Sequence, residues 1–522
     1  MKFQLVIIVF AALFLPSQIV NGNDLKFLKR GERIYPEAIK KEKIHFKLNT
    51  YRDTRYISPL IYGETATGGV QKPSIQNSFV CICGREFSTY NWETNATDSR
   101  NIGGRKTQLL PGGDKPGGYI LTQLSKHMNE GKTILLTLPA LGHVIKDAKI
   151  VNGQTGNQSL SKFHRSAIVK ESLLKFEPDL KDSTVYQDEF IHWVENKASQ
   201  PFGGKIYYKL DYRPESWRDN FPAIQKERLR YDEIVQMSVD YFKAVKELAP
   251  EALTFGPGIE GLRSLKDLKG APDYFRGYFL DYYLKKLNAA SKKSRRRLLD
   301  VLDINWTPKG LSGTERIHAS RAFWDPFYEV IDANGVRQRP NLIQRLQTKI
   351  DRYYPKTLIA FSEYDLGGGE DISGALATAD SLGAFGKNGV YAAAMTANSK
   401  AKPYNQKVFE LFQNFDKKGN GFGNISFYTH SSDPQKASIY ASFSSQKPEQ
   451  LTAIVINRSS ESTFASFEIT HDHILRKLQT YTVRKGSQKI EMGQTVPVKS
   501  RNTFKIKVHP LSVTLFHLSD KL

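Results

Sequence analysis

From about residue 56 to residue 400 the chain alternates two kinds of segment, and this alternation constrains the fold most. Short β-like runs at Ser78–Cys83, Thr133–Leu138, Lys205–Leu210, Val301–Asn305, Thr357–Phe361 and Gly389–Met395 are separated by helical stretches. The clearest helix is Tyr231–Leu248, where Ile234, Met237, Val239, Phe242, Val245 and Leu248 carry most of the apolar face and Pro250 ends the run. Strand–helix units repeated over this length predict an α/β fold, a (β/α)8 TIM barrel.

After about residue 404 the helical pattern stops. "ASIYASFSS", "LTAIVINRS", "TFASFEIT", "LQTYTVRK" and "TFKIKVHPLSVTLFHL" are short, alternating and rich in β-branched residues. They predict an all-β sandwich. The run Lys43–Leu48 precedes the first barrel strand and is expected to add a strand to that sandwich. The expected domains are a signal peptide at 1–22, an N-terminal segment at 23–55, the barrel at 56–403 and the sandwich at 404–522.

The leader reading rests on Met1–Lys2 followed by eleven apolar residues, Leu5 to Leu15, and the small-residue exit Val20-Asn21-Gly22. Eleven residues are too few to span a bilayer, so a secreted, extracellular and monomeric protein with no membrane span is expected. Removing residues 1–22 takes away one charge, Lys2, so 75 basic residues become 74 against 53 acidic, a formal +21. Outside a cell such a charge points to an anionic glycan or a cell surface rather than nucleic acid. The run Lys292–Arg297 (KKSRRR) reads as a basic helix end. Cys81 and Cys83 are two residues apart, badly placed to bridge, and read as buried free thiols. Asn95, Asn157, Asn305, Asn424 and Asn457 each begin an N-x-S/T sequon, of which Asn95, Asn157, Asn424 and Asn457 are the candidate glycosylation sites. No spacing compels a metal site or a cofactor.

Two strand ends carry the chemistry. "TLIAFSEYDLGGG" puts Glu363 where a barrel strand meets its loop, and active sites lie at that end. Retaining glycoside hydrolysis needs a second carboxyl about 5–5.5 Å away as acid/base. "YYKLDYRPESW", Tyr207 to Trp217, ends in the same way but offers Arg213.

The chain resembles the family 44 glycoside hydrolases, endo-acting β-1,4-glucanases and xyloglucanases with a barrel plus sandwich. Ser88–Ser99 (STYNWETNATDS) is similar to the family's RYNWE-x-NA segment, and Arg230–Gly261 to its long helix and following strand. Arg321–Tyr328 (RAFWDPFY) resembles its R-x-WDPTY motif, and Phe361–Met395 follows its TEYN-x-GG to GVY block almost residue by residue. This resemblance implies that Glu363 stands at the nucleophile position. The family's LDNEPxxW motif, which carries the acid/base Glu, reads Leu210-Asp211-Tyr212-Arg213-Pro214-Glu215-Ser216-Trp217 here. Arg213 thus replaces the acid/base, and arginine cannot cycle a proton. Other family positions depart as well. His becomes Asn305 and Glu becomes Lys309 in the DxHYYPE strand end, RWGGN becomes Cys81–Arg85, and a sugar-stacking Trp falls on Thr396.

Two readings follow. In the first, the protein binds polysaccharide, with an acidic glycan favoured by its charge and Arg213, and catalysis is lost or strongly weakened. In the second it is an active retaining endo-β-1,4-glycanase with Glu363 as nucleophile and Glu215, two residues beyond Arg213, as a displaced acid. The residues expected to contact sugar are Trp92, Tyr212, Trp217, Asn305, Trp306 and Tyr364.

Overall fold

The computed structural model of the protein describes residues 43–66, 77–101, 104–147, 160–198, 204–331, 335–397, 402–487, 489–498 and 502–520. The expected signal peptide and Asn157 lie outside these residues. Eight strands form a closed, all-parallel barrel in chain order: β1 (Gly63–Ala66), β2 (Phe79–Ile82), β3 (Thr133–Leu138), β4 (Ile206–Leu210), β5 (Thr254–Glu260), β6 (Val301–Asn305), β7 (Leu358–Tyr364) and β8 (Ala392–Met395). Strands enclosed on both faces read as continuous apolar runs rather than as alternation, which is why β3 stands out in the sequence. Phe79, Cys81, Leu135, Tyr207, Phe255, Val301, Ala360 and Ala392 pack together as one buried cluster.

One charged group is built into the same interior. Lys209 and Asp303 are fully buried and 2.9 Å apart, and both bond the Ser362 hydroxyl at 2.7 Å. A buried ion pair is tolerated when its remaining hydrogen-bonding capacity is met, and this one ties β4, β6 and β7 together immediately below Glu363.

The Tyr231–Leu248 helix forms as the apolar spacing predicts, with Ile234, Phe242 and Val245 buried and the Glu233 carboxylate accepting from the Arg230 N–H at its start. The Phe279–Ser294 helix ends at Arg295, in the left-handed conformation, so Lys292–Arg297 is a basic helix end. One helix lies past the expected boundary. Pro403 opens Pro403–Gln413, a position where its missing N–H costs nothing. Val408, Phe409, Leu411 and Phe412 of this helix join the core that also holds the Ile372–Asn388 helix.

The sandwich pairs a four-stranded sheet with a longer one built around Ala437–Ser444, Lys447–Asn457, Ser512–Ser519 and Lys477–Arg484. Lys43–Asn49 lies in the smaller sheet, parallel to Thr463–Thr470 and antiparallel to Tyr428–Ser431. Between the sheets Phe467 stacks on Phe504 with ring centroids 4.4 Å apart and tilts against Phe46 and Phe516. Each such buried side chain contributes roughly 2–3 kcal/mol of transfer free energy.

Barrel and sandwich form one compact unit. Asp380 of the Ile372–Asn388 helix meets Arg458, which follows the Lys447–Asn457 strand, at 2.6 Å with both side chains buried. Asp380 also accepts from Ser320, Trp324, Ser438 and Tyr440.

Two expectations are corrected here. Cys81 and Cys83 are not free thiols: a disulfide joins them, across a Cα separation of 5.4 Å that lies within disulfide range. Asn95 and Asn457 are fully buried, and their amide nitrogens donate to backbone carbonyls of Leu110 and Gly113 and of His509 respectively, so a glycan has no room at either. Asn305 is equally buried. Asn424 is half-buried, with its amide bonded to Ser445.

Candidate active site

The C-terminal ends of β4 to β8 converge on Arg213. After β4 the chain runs through Asp211, whose buried carboxylate accepts from Ser88 and from the Ala140 and Tyr212 N–H groups. Burial pushes that carboxyl up to about 6. Asp211 is an anchor between loops, not an acid facing substrate. Arg213 then adopts φ 46°, a left-handed conformation that costs a non-glycine residue on the order of 1 kcal/mol. Pro214 opens the short turn that follows, and the Arg213 N–H donates to the Gly258 carbonyl of β5 at 3.1 Å. The turn thereby aims the guanidinium across the barrel mouth.

Arg213 makes three side-chain contacts there. Nη2 donates to Glu363 Oε2 at 2.9 Å and to Thr307 Oγ1 at 3.0 Å, while Nη1 donates to Glu260 Oε2. Its guanidinium lies 4.8 Å from the Tyr212 ring centre. Thr307 Oγ1 in turn donates to Glu260 Oε1. Glu363 has two further partners, the Tyr212 hydroxyl and, at 3.4 Å, Thr396 Oγ1. Burial, together with the Glu363 charge, raises the Tyr212 hydroxyl well above its ordinary range, so it is a donor that stays protonated. Arg213 and Glu363 side chains are only 13% and 12% exposed.

Arg213 is therefore shared between two carboxylates rather than paired with one. The formal charge of Arg213, Glu260 and Glu363 together is −1, and the guanidinium is not a free cation for an acidic sugar. The expectation of an acidic glycan, which rested on the chain's charge and on Arg213 together, gains no support from Arg213.

Glu260, at the end of β5, was missed in the sequence. Its signal was present: "TFGPGIE" ends on Glu as "LIAFSE" does, but two glycines and a proline hide the strand. Glu215, the proposed displaced acid, is buried elsewhere. One of its oxygens accepts from the Glu260 N–H at 3.0 Å, and burial raises the carboxyl to about 7. A carboxyl at that value could donate a proton, yet its hydrogen bond goes to the β5 backbone.

Most of the residues expected to contact sugar are not at the surface. Trp92 is fully buried, stacked on Phe190 and tilted against Trp193. Trp217 and Tyr364 are buried to 1%, and the Tyr364 ring packs edge-on against Phe323 and Phe385. Asn305 is buried between the Gly258 carbonyl and Ser362. Tyr212 is half-buried beside Arg213. Trp306 is 8% exposed, and its Nε1 has no partner among the described residues.

A parallel eight-stranded barrel with a glutamate at the end of β7, fused to a β-sandwich, defines an α/β-barrel protein of glycoside-hydrolase architecture. Residues 114–310 match glycoside hydrolase family 44. Endoglucanase A of Paenibacillus lautus is 31% identical over 505 residues, covering 90% of this chain and 71% of that protein. A xyloglucanase structure from Paenibacillus polymyxa superposes with TM-score 0.84 at 28% identity, over 92% of this chain and all of that one. An endoglucanase structure from Clostridium acetobutylium gives 0.85 at 28% identity, with the same coverage. The chain belongs to glycoside hydrolase family 44.

Proposed function

We propose that this protein is a secreted, polysaccharide-binding member of the family in which hydrolysis is lost or strongly weakened. The observation that carries the proposal is the 2.9 Å contact between Arg213 and Glu363, made from the position that the family pattern gives to its proton donor. Arginine stays charged and donates hydrogen bonds without ever passing a proton to a leaving oxygen. Losing a general acid costs about 10²–10⁴-fold in rate. A neutral β-linked glycan suits the mouth better than an acidic one, because the cluster carries a formal −1. Tyr212 supplies a partly exposed ring beside that cluster.

The test pairs retention with turnover. Electrophoresis through gels containing xyloglucan or hydroxyethylcellulose should retard the protein, and a neutral cello-oligosaccharide should release it. Both polymers are uncharged, so the retardation should survive added salt, which screens only interactions between charges. No retardation in either polymer defeats the binding claim.

A further inference from the structure

We infer that Glu260 and Glu363 form a latent catalytic pair for β-linked glucan, held out of use by Arg213. The inference rests on the proposed function, since it explains how a barrel that retains a nucleophile position is switched off. It assigns the second carboxyl to β5 rather than to the β4 turn.

Both glutamates lie at the C-terminal ends of barrel strands, β5 and β7 on either side of β6, and bind opposite arms of one guanidinium, Nη1 to Glu260 and Nη2 to Glu363. Bonds to the two arms of one fork set the carboxylate oxygens roughly 4–7 Å apart, a range that includes the separation of about 5–5.5 Å in a retaining pair. Glu260 is also the more open of the two, 28% exposed against 12%, and a group that must reach a leaving oxygen needs that access. Thr307 holds one Glu260 oxygen and Thr396 holds one Glu363 oxygen, so neither carboxyl depends on Arg213 alone for its orientation. Glu215 only accepts from the Glu260 backbone N–H, a bond that the side-chain carbonyl of a glutamine in its place would keep.

Without the guanidinium, two carboxylates this close disfavour double ionisation and share a proton. That is the division of labour a glycosidase uses. A Glu363 oxygen would then bond to the anomeric carbon as that carbon's bond to the glycosidic oxygen breaks, while the Glu260 proton passes to the leaving oxygen. Water would next attack the same carbon, give one proton to Glu260 and release Glu363.

Arg213 sits at φ 46°, a conformation that glycine and asparagine accept readily, so Arg213→Gly and Arg213→Asn are both suitable unlatched variants. With an aryl β-cellobioside, each should hydrolyse about 10²-fold faster than wild type, within the range a general acid supplies. Adding Glu260→Gln or Glu363→Gln should remove that gain, and adding Glu215→Gln should leave it within about twofold. Folded variants with no gain overturn the inference, as does a gain that survives Glu260→Gln or vanishes with Glu215→Gln. Dinitrophenyl 2-deoxy-2-fluoro-β-cellobioside, whose leaving group requires no acid, gives a second check. Covalent labelling of Glu363 is expected in Arg213→Gly and is expected to be much slower in the wild type, and an unlabelled Arg213→Gly protein, or equal labelling of the two, overturns the inference. Failure of these tests leaves the polysaccharide-binding proposal standing, which falls only on its own retention and turnover measurements.

Discussion

Replacing Arg458 with Met leaves Asp380 as a buried carboxylate without its cation. Arg458 contacts Asp380 at 2.6 Å with 1% and 0% side-chain exposure, and also donates to the Ile317 and Pro434 carbonyls. Breaking a buried pair from one side costs about 3–5 kcal/mol. At about 2.1 cal/mol/K of unfolding entropy per residue, a chain of this size loses about 1 °C of Tm for each kcal/mol, so a fall of about 3–5 °C is expected. The pH dependence is more diagnostic. In the wild type burial pushes the Asp380 carboxyl up, but Arg458 and the surrounding hydroxyls outweigh it and hold the group below its ordinary value. Its contribution is therefore full above the unfolded value of about 3.9 and is lost only as pH falls through the depressed folded value. In Arg458→Met burial is left with the hydroxyls alone to oppose it, and the folded value rises above the unfolded one. The variant then loses stability as pH rises, and the gap to wild type widens by up to about 1.4 kcal/mol per pH unit until Asp380 ionises. Urea unfolding followed by tryptophan fluorescence at about pH 5 and about pH 8 measures both effects. A gap below about 1 kcal/mol, or one equal at the two pH values, would refute the reasoning.

Three further outcomes are expected. Glu215 is raised to about 7 by burial, so the folded state binds its proton more tightly than the unfolded chain and loses about 3 kcal/mol between about pH 4.3 and pH 7; Glu215→Gln should remove that slope in urea titrations. Gly383 of the Ile372–Asn388 helix faces the Tyr440 ring, where a Cβ would lie 2.1 Å from the nearest ring atom, so Gly383→Ala should destabilise by about 1–3 kcal/mol, read as a lower Tm. Expression in a eukaryotic secretory host should place glycan at Asn424 and none at Asn95 or Asn457, checked by peptide mass spectrometry with and without glycosidase treatment.

The barrel was legible where strands are dominated by apolar and β-branched residues, as at Thr133–Leu138, and less cleanly at Val301–Asn305, where Asp303 and Asn305 interrupt the run. It was not legible at Gly63–Ala66, four residues with a glycine and a glutamate, and at Thr254–Glu260 the strand was reached only through the family resemblance, not through its residue pattern. In the second, Gly256 is required because a Cβ there would meet Phe242 and Tyr283 at 2.8 and 2.9 Å, contacts made by residues far along the chain. The glycine demanded by that packing reads locally as a turn signal, and Glu260 went unremarked although the resemblance placed a strand there. Arg213 was legible as an intruder because Leu210, Asp211, Pro214 and Trp217 keep the register around it. Its second carboxylate was not, because that partner comes from a different strand. The aromatic residues failed for a related reason: a tryptophan near a strand end looks the same in sequence whether it faces sugar or, like Trp92, packs on Phe190 and Trp193 about 100 residues away.

The central claim is that Arg213 disables the site while the barrel still binds glycan. Its most direct test measures reducing ends released from xyloglucan by the wild type and by Glu363→Gln at equal polymer occupancy, determined by calorimetric titration of the same samples. The account predicts matched binding and the same background rate for both proteins. Wild-type turnover that disappears in Glu363→Gln would contradict it.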